Sequence, residues 1–153
     1  MTQRENGRPS PTFPDIGSKG GEDYIEGGEG DDVVYGGGDN DELHGNAGND
    51  RLKGNNGEDR IFGEAGDDSV IGYAGDDYLD GGANDDRLYG GDDNGTMVGG
   101  DGYNVYYGGD GDDSMLGGAD LDRMKGEGGA DTCDGGSGLT DTVQTCEIVL
   151  NVP

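Results

Sequence analysis

The chain has 153 residues, of which 37 are glycine, 35 are acidic and nine are basic, and its formal net charge is −26. Only 28% of the residues are apolar, which is typical of disordered chains, so the chain either stays unfolded or folds with something cationic. The negative charge argues against nucleic acid as a partner, and the absence of any run of 18 apolar residues argues against a membrane span.

Residues 1–17 are predicted to form a linker or an N-terminal cap. They contain three of the four prolines and lack the apolar stretch of a signal peptide. Ile16 continues the spacing of the apolar residues described below, and Phe13 is near it. The end of this segment is therefore expected to cover the first open strand of a repeat fold.

A nine-residue repeat begins at Ser18 and runs through thirteen blocks, covering 18–134 without an insertion. The clearest block is GGEGDDVVY at 27–35. A fourteenth block begins at Gly135 and contains one extra residue, after which Asp141 falls at its sixth position. Position 8 is apolar in all thirteen complete blocks, and position 1 is glycine from the second block onward. Disordered chains do not maintain such a pattern.

Two further positions indicate a turn. Position 6 is Asp in eleven of the thirteen blocks and is replaced by Gly95 and Asn104 in two consecutive blocks, whereas position 5 varies. Position 4 is glycine in most blocks, and Asp and Asn, its substitutes, tolerate a left-handed backbone best, so a positive φ is predicted there. The exceptions at position 4 are Asp39, Asn84, Asp93 and Asp120.

Each nonapeptide is predicted to be a six-residue turn followed by a three-residue strand whose middle residue, at position 8, points inward. One inward residue in nine makes no core alone, but stacked coils bury these residues against one another. Two nonapeptides close one coil of 18 residues, so thirteen give six and a half coils. At a strand spacing of about 4.8 Å the body is about 30 Å long.

The blocks resemble the GGxGxDxUx nonapeptide of the hemolysin-type RTX calcium-binding repeats, over about three quarters of the chain (117 of 153 residues). The resemblance implies an all-β fold, a right-handed parallel β-roll or β-solenoid, over residues 18–143. It also implies that calcium ions lie between stacked turns, held by Asp side chains and backbone carbonyls.

Stacking turns 18 residues apart places the position-6 carboxylates in two columns, in which neighbours about 4.8 Å apart repel unless a cation lies between them. Calcium suits this arrangement because it accepts six to eight oxygen ligands flexibly, whereas magnesium requires a strict octahedron and zinc sites need Cys or His clusters. The predicted calcium ligands are Asp23, Asp32, Asp41, Asp50, Asp59, Asp68, Asp77, Asp86, Asp113, Asp122 and Asp131.

The number of calcium sites follows from the gaps between turns. Seven turns on each side leave twelve gaps at most. Gly95 removes the two gaps that it borders, and Asn104 weakens two more. The gap next to Asp141 is not counted among the sites because of the inserted residue. Seven gaps with an intact Asp pair remain, and seven calcium ions would change the net charge from −26 to −12.

The outward strand positions 7 and 9 differ between the two sides of the roll. The even-numbered blocks form a face, here called the basic face, that has five bases, three tyrosines and no acid at these positions. Its bases and tyrosines are Arg51, Lys53, Arg87, Arg123, Lys125, Tyr35, Tyr89 and Tyr107. Odd-numbered blocks form the acidic face, with four acids and one arginine. The basic face either binds an anionic polysaccharide, a cell-surface polymer or the acidic face of a neighbour, or is a solvated surface whose bases offset the turn acids.

The two cysteines lie where the repeat ends. A disulfide between Cys133 and Cys146 would close a short loop and contribute about 3 kcal/mol, and a free buried Cys133 is the alternative. Residues 144–153 are predicted to be a C-terminal cap strand, in which the apolar run EIVLNVP covers the last strand of the roll.

No catalytic motif is present: the chain lacks HExxH, a P-loop, GxGxxG and GxSxG, and the single histidine, His44, is predicted to lie at the surface. The sequence therefore predicts a non-enzymatic module that folds on binding calcium. Its expected role is that of a folding and export element, a spacer or an adhesion element. A disulfide and millimolar calcium both indicate an extracellular location. The alternative is an accessory binding module of a larger secreted polysaccharide-acting or hydrolytic enzyme.

Overall fold

The computed structural model describes residues 15–17, 19–137 and 141–150, and these contain sixteen β-strands. The strands are β1 (Asp15–Gly17), β2 (Tyr24–Glu29), β3 (Val33–Gly38), β4 (Glu42–Ala47), β5 (Arg51–Asn56), β6 (Arg60–Ala65), β7 (Ser69–Ala74), β8 (Tyr78–Ala83), β9 (Arg87–Asp92), β10 (Thr96–Asp101), β11 (Val105–Asp110), β12 (Ser114–Gly118), β13 (Arg123–Gly128), β14 (Thr132–Gly136), β15 (Thr142–Gln144) and β16 (Ile148–Leu150). No helix of this part of the chain is long and apolar enough to cross a bilayer.

Alternate strands belong to two different sheets. The odd-numbered strands form one eight-stranded sheet and the even-numbered strands form the other. All pairings are parallel, and in the body of the roll each residue pairs with the residue 18 positions later, as Leu52 does with Val70. The chain thus crosses from one sheet to the other at every turn, and the predicted all-β parallel β-solenoid is confirmed.

The strands are twice as long as predicted. Most have six residues, comprising positions 7–9 of one block and positions 1–3 of the next, so only three residues are left for the turn. In β5 the burial alternates, and both Leu52 and Gly54 point inward. The expected six-residue turn was wrong because the glycine-rich half of a block still pairs through its backbone, as Gly37 does with Asn55.

The core is a double row of position-8 side chains between the two sheets, as predicted. None of these residues is more than 5% exposed. The row comprises Ile25, Val34, Leu43, Leu52, Ile61, Val70, Leu79, Leu88, Met97, Tyr106, Met115, Met124 and Cys133.

Positive φ values recur from block to block at two positions of the repeat, 2 and 4. The prediction for position 4 is confirmed at Asp39, Asn84 and Asp93, whose φ angles are 70°, 86° and 69°, but Asp120 is not among the described residues with positive φ. Position 2 was not predicted to be left-handed. Its non-glycine residues with φ between 76° and 86° are Asn46, Asn55, Glu64, Tyr73 and Glu127.

Both ends of the roll carry short strands. At one end β1 pairs with β3, with Ile16 opposite Val34, and at the other end β15 pairs with β13 and β16 with β14. A disulfide joins Cys133 to Cys146, with their Cα atoms 6.0 Å apart. The predicted linker before residue 15, with Phe13, and the end of the predicted cap strand at 151–153 lie outside the described residues.

Candidate metal centre

The position-6 aspartates lie on the inside of the turns, in one column along each edge of the roll. All eleven predicted ligands are buried, with exposures of 9% or less, and Asp141 is buried as well. One column contains Asp23, Asp41, Asp59, Asp77, Asp113 and Asp131, and the other contains Asp32, Asp50, Asp68, Asp86, Asp122 and Asp141.

From Asp41 onward, one oxygen of each carboxylate joins its turn to the preceding turn of the same column. Asp50 Oδ1 accepts a hydrogen bond from the backbone N–H of Asp32 at 2.8 Å, and Asp68 Oδ1 accepts one from the N–H of Asp50 at 2.7 Å. The same bond recurs along both columns as far as Asp141. Position 6 therefore has a structural role independent of any ion.

In eleven of the carboxylates the other oxygen, Oδ2, is buried and has no hydrogen-bond partner. Leaving a buried carboxylate oxygen without a hydrogen bond or a cation is costly, because its hydration is lost without replacement. The same carboxylate oxygen, here called the orphan oxygen, lacks a partner in block after block. This repetition indicates a requirement for a positively charged partner. The buried Oδ2 atoms without a hydrogen bond belong to Asp32, Asp41, Asp50, Asp59, Asp68, Asp77, Asp86, Asp113, Asp122, Asp131 and Asp141.

Ten of the eleven orphan oxygens, all but that of Asp141, face a small space, here called the turn pocket, beside the position-1 glycine of their own block. A Cβ atom built on Gly36 would lie 2.6 Å from Asp41 Oδ2 and 2.8 Å from the carbonyl oxygen of Gly54 in the next coil. At Gly27 the corresponding atom would lie 3.0 Å from Asp32 Oδ2 and 2.8 Å from the carbonyl oxygen of Gly45. Position 1 is therefore glycine because any side chain would fill this pocket.

The turn pockets beside Gly27 and Gly36 each present a carboxylate Oδ2 and a backbone carbonyl oxygen, which are the ligands that calcium prefers. Among the described residues, no group of three or more His, Cys, Asp or Glu side chains is placed to hold a metal ion by itself. A cation bound between two turns would thus need backbone carbonyls in addition to the carboxylates. The donor set present fits calcium and does not fit zinc.

Burial raises the pKa of most of these carboxyl groups. Burial, together with neighbouring carboxylates, raises the pKa of Asp50, Asp77 and Asp86 to about 7, although the hydrogen bond from the preceding backbone N–H opposes the shift. The same effects raise the pKa of Asp41 and Asp113 to about 6. At neutral pH a cation in the turn pockets would therefore relieve a substantial electrostatic cost.

A second column of side chains, at position 5, was missed in the sequence. Asp31 Oδ1 accepts the backbone N–H of Asn49 at 2.9 Å, and Asn49 Oδ1 accepts that of Asp67 at 3.0 Å. At position 5 the side chain accepts the N–H of the following turn, whereas at position 6 it accepts the N–H of the preceding turn. Eight of the thirteen blocks carry Asp or Asn at position 5, and this enrichment was the signal that the apparent variability obscured.

The two blocks that depart from Asp at position 6 differ from each other. The Gly95 N–H still donates to Asp113 Oδ1 at 2.7 Å, but Gly95 contributes no side-chain oxygen. Asn104 is fully buried, and its Oδ1 accepts the N–H of Asp86 at 2.9 Å. Asn104 thus keeps the bond between turns and replaces the orphan oxygen with an amide nitrogen, which donates to the carbonyl oxygen of Gly102 at 3.3 Å.

The basic face lies on the sheet of odd-numbered strands. Tyr89 and Tyr107 stack with ring centroids 5.0 Å apart, and Lys53 Nζ lies 5.1 Å from the ring centroid of Tyr35. The exposed side chains of this face include Arg51, Arg87 and Arg123, and within the described residues no salt bridge involves these three.

His44, on the acidic face, is less exposed than predicted. Its side chain is 17% exposed and stacks on the ring of Phe62 at 4.8 Å. The imidazole Nδ1 lies 2.8 Å from Glu64 Oε1, and Nε2 lies 3.1 Å from Glu42 Oε1. Both ring nitrogens thus have carboxylate partners, and His44 joins β4 to β6 on the acidic face.

The comparisons with known proteins agree with this geometry. The family described as "RTX calcium-binding nonapeptide repeat (4 copies)" matches at residues 19–52, 53–88, 71–106, 89–123 and 107–139, which together span 19–139 without a gap. The comparison with curated proteins found no match. Since the family matches well over half of the chain, in the region that forms the roll, this chain belongs to the hemolysin-type RTX calcium-binding repeats and is a calcium-binding β-roll module.

Proposed function

We propose that this module folds around two columns of calcium ions and acts outside the cytoplasm, without catalysis of its own, as a folding and export element, a rigid spacer or an adhesive surface. The observation that carries the proposal is the set of eleven buried Oδ2 atoms without a hydrogen-bond partner. All eleven recur at the same position of the repeat. One divalent cation shared between successive turns would neutralise the carboxylates in pairs.

The proposed ligands are the Oδ2 atoms of the position-6 aspartates and the carbonyl oxygens of the position-1 glycines that face them. Asp41 Oδ2 and the Gly54 carbonyl exemplify this pairing. The seven gaps bordered by two aspartates within the complete blocks are proposed as well-formed sites. Asp141 is buried, and its Oδ2 also lacks a partner, which supports an eighth site beside Asp122.

Calcium binding and folding are proposed to be one event. The net charge of −26 opposes a compact state, and the core has one apolar side chain for every nine residues. An ion that binds only the stacked turns stabilises the folded state by its own binding free energy. The chain is therefore expected to be unfolded without calcium.

Circular dichroism in the far ultraviolet tests this proposal. A calcium titration of the chelator-treated protein should convert a coil spectrum into a β spectrum cooperatively, within roughly the micromolar to millimolar range. Magnesium at equal concentration should have much less effect because it does not accept an irregular set of carbonyl oxygens. A β spectrum in excess chelator at neutral pH would disprove calcium-coupled folding.

The extracellular location is supported by the disulfide between Cys133 and Cys146. Disulfides persist in oxidising compartments and are rare in the cytosol. Calcium sites at the weak end of the affinity range are also filled at extracellular concentrations.

The second candidate function is that of an accessory module that binds an anionic polysaccharide through the basic face. It is supported by Arg51, Arg87 and Arg123, which recur on alternate odd-numbered strands, are exposed and take part in no salt bridge of the described residues. The stacked Tyr89 and Tyr107 between them would add a flat surface for sugar rings. This candidate requires the folded roll and so depends on calcium as well.

A further inference from the structure

One coil of the roll has no carboxylate at position 6 in either of its two turns. This coil, residues 90–107, has Gly95 and Asn104 at position 6 and Met97 and Tyr106 at position 8. Asn104 and Tyr106 are both fully buried, and Tyr106 is the largest of the fully buried side chains. Neither Gly95 nor Asn104 presents the orphan Oδ2 that characterises the other turns.

The hydroxyl of Tyr106 contacts backbone carbonyl oxygens at this turn. It donates a hydrogen bond to the carbonyl oxygen of Leu116 at 2.8 Å and makes a longer contact, of 3.4 Å, with that of Gly117. Gly117 follows Asn104 by 13 residues, as Gly54 follows Asp41. The Gly117 carbonyl is therefore the equivalent of those that face an orphan Oδ2 in the other turn pockets.

The turn pocket beside Gly99 is filled from inside the core. A Cβ atom built on Gly99 would lie 2.6 Å from Asn104 Nδ2 and would overlap the Tyr106 hydroxyl oxygen. In the equivalent pocket beside Gly36, the nearest atoms are instead Asp41 Oδ2 and the Gly54 carbonyl oxygen. Two neutral hydrogen-bond donors thus occupy the space in which other turns present negative oxygens.

We propose that Tyr106 and Asn104 together replace a calcium ion in this turn pocket, so that it stays free of metal when the other sites are saturated. A hydroxyl or amide proton satisfies a backbone carbonyl as a cation does, but it brings no charge that must be balanced. The Tyr106 hydroxyl also joins β11 directly to β12 of the opposite sheet. This coil consequently holds its two sheets together without an ion and divides the calcium columns into an N-terminal and a C-terminal array.

The opposite edge of the same coil is consistent with this. The carbonyl of Gly108 faces the position-1 residue Gly90, but the other near group is the methyl carbon of Met97, 3.4 Å from a Cβ built on Gly90. A methyl group offers no ligand to a cation. Both edges of the coil therefore lack the pair of oxygens found in the turn pocket beside Gly36.

Restoring the repeat pattern at this position tests the proposal, which rests on the proposed calcium binding. The variant Asn104→Asp/Tyr106→Leu supplies a carboxylate and removes the hydroxyl. Equilibrium dialysis and native mass spectrometry at saturating calcium should show at least one more bound ion than in the unaltered chain. Asn104→Asp alone should add none because the hydroxyl still fills the pocket, and Tyr106→Leu alone should add none because no carboxylate is present.

An unchanged number of ions in a double variant that gives the β spectrum in calcium would overturn the inference. If the double variant does not fold, Asn104→Ala is compared with Asp68→Ala, because both side chains accept the N–H of the preceding turn in the same column. Asn104→Ala should keep the full number of ions and Asp68→Ala should lose at least one. Equal losses would also overturn the inference. If the unaltered chain binds no calcium, the proposed function itself fails.

Discussion

Asp77 Oδ1 accepts the backbone N–H of Asp59 at 2.8 Å, whereas Oδ2 of the same carboxylate is buried without a hydrogen-bond partner. In most position-6 carboxylates one oxygen thus joins two turns, and the other is buried without a hydrogen-bond partner and is the proposed cation ligand. The first role requires only an acceptor, which asparagine also supplies. The second requires a negative charge, and the two roles can be separated by substitution.

Asp59→Asn and Asp59→Ala should separate these two roles. Asn retains Oδ1 for the N–H of Asp41, whereas Ala loses both oxygens. Both variants should bind fewer calcium ions and have a higher calcium midpoint by circular dichroism. The free energy of unfolding at saturating calcium should be lower for Ala than for Asn by about 1 kcal/mol, the usual contribution of a hydrogen bond. If both variants bind as many ions as the unaltered chain, position 6 is not a ligand.

Filling a turn pocket with a methyl group should reduce calcium binding and stability more than adding a methyl group to a nearby glycine outside the pocket. Gly36→Ala would place a Cβ 2.6 Å from Asp41 Oδ2, whereas a Cβ on Gly38 meets no atom within 4 Å. Gly36→Ala should lose at least one bound calcium ion and destabilise the roll by about 1–3 kcal/mol through overpacking. Gly38→Ala is the matched control and should be close to neutral in urea unfolding at saturating calcium. Equal effects at the two positions would contradict the assignment of the pocket.

The calcium-free roll should become more stable as the pH falls. Burial raises the pKa of Asp50, Asp77 and Asp86 to about 7, well above the value of 3.8 for an unperturbed carboxyl group. Protonation therefore favours the folded state, and this contribution is lost as the pH rises through about 7. In excess chelator, circular dichroism should show more β-structure at pH 4.5–5 than at pH 7.5, with light scattering to control for aggregation near the isoelectric point of about 4.1.

The calcium midpoint should show the reverse dependence on pH. Because the same carboxyl groups must lose their protons before they bind an ion, the midpoint concentration should rise as the pH falls below about 7. A calcium midpoint that is the same at pH 5.5 and pH 8 would contradict carboxylate ligation.

The disulfide should stabilise the C-terminal end of the roll. Cys133 is a fully buried core residue, and its bridge to Cys146 spans 13 residues. Reduction should lower the free energy of unfolding in saturating calcium by about 3 kcal/mol, because the reduced chain has more conformational freedom when unfolded. Urea unfolding with and without reductant measures this change. Identical midpoints would show that the bridge contributes nothing.

The basic face should bind an anionic polysaccharide only if the second candidate function holds. In calcium, the folded chain should bind alginate, the binding should weaken as salt is added, and Arg51→Glu/Arg87→Glu/Arg123→Glu should abolish it. Arg60→Glu, on the acidic face, is the control and should leave binding unchanged. If the triple variant binds as well as the unaltered chain, or if neither binds, the basic face is only a solvated surface.

Much of the fold could be predicted from the sequence because the repeat is regular. The period of nine places one apolar side chain at the same point of every block, and Ile61 and Leu88 are fully buried as this spacing predicts. The turn position at Asp39 followed from residue type, because Asp tolerates positive φ. These properties depend on residues close together in the chain.

The remaining properties depend on contacts between residues 18 apart, and only the tertiary structure decided them. The glycine-rich half of each block became strand because its backbone groups found partners in neighbouring coils, as Gly37 did in Asn55. Stacking also determines that Oδ1 of Asp77 accepts a hydrogen bond while Oδ2 has none. It likewise brings the Tyr106 hydroxyl into a turn pocket. The sequence by itself determined the period, the inward residues and the acidic columns. Which buried oxygen lacks a partner was decided by the stacked coils, because hydrogen bonds and burial belong to the assembled roll and not to a single nonapeptide.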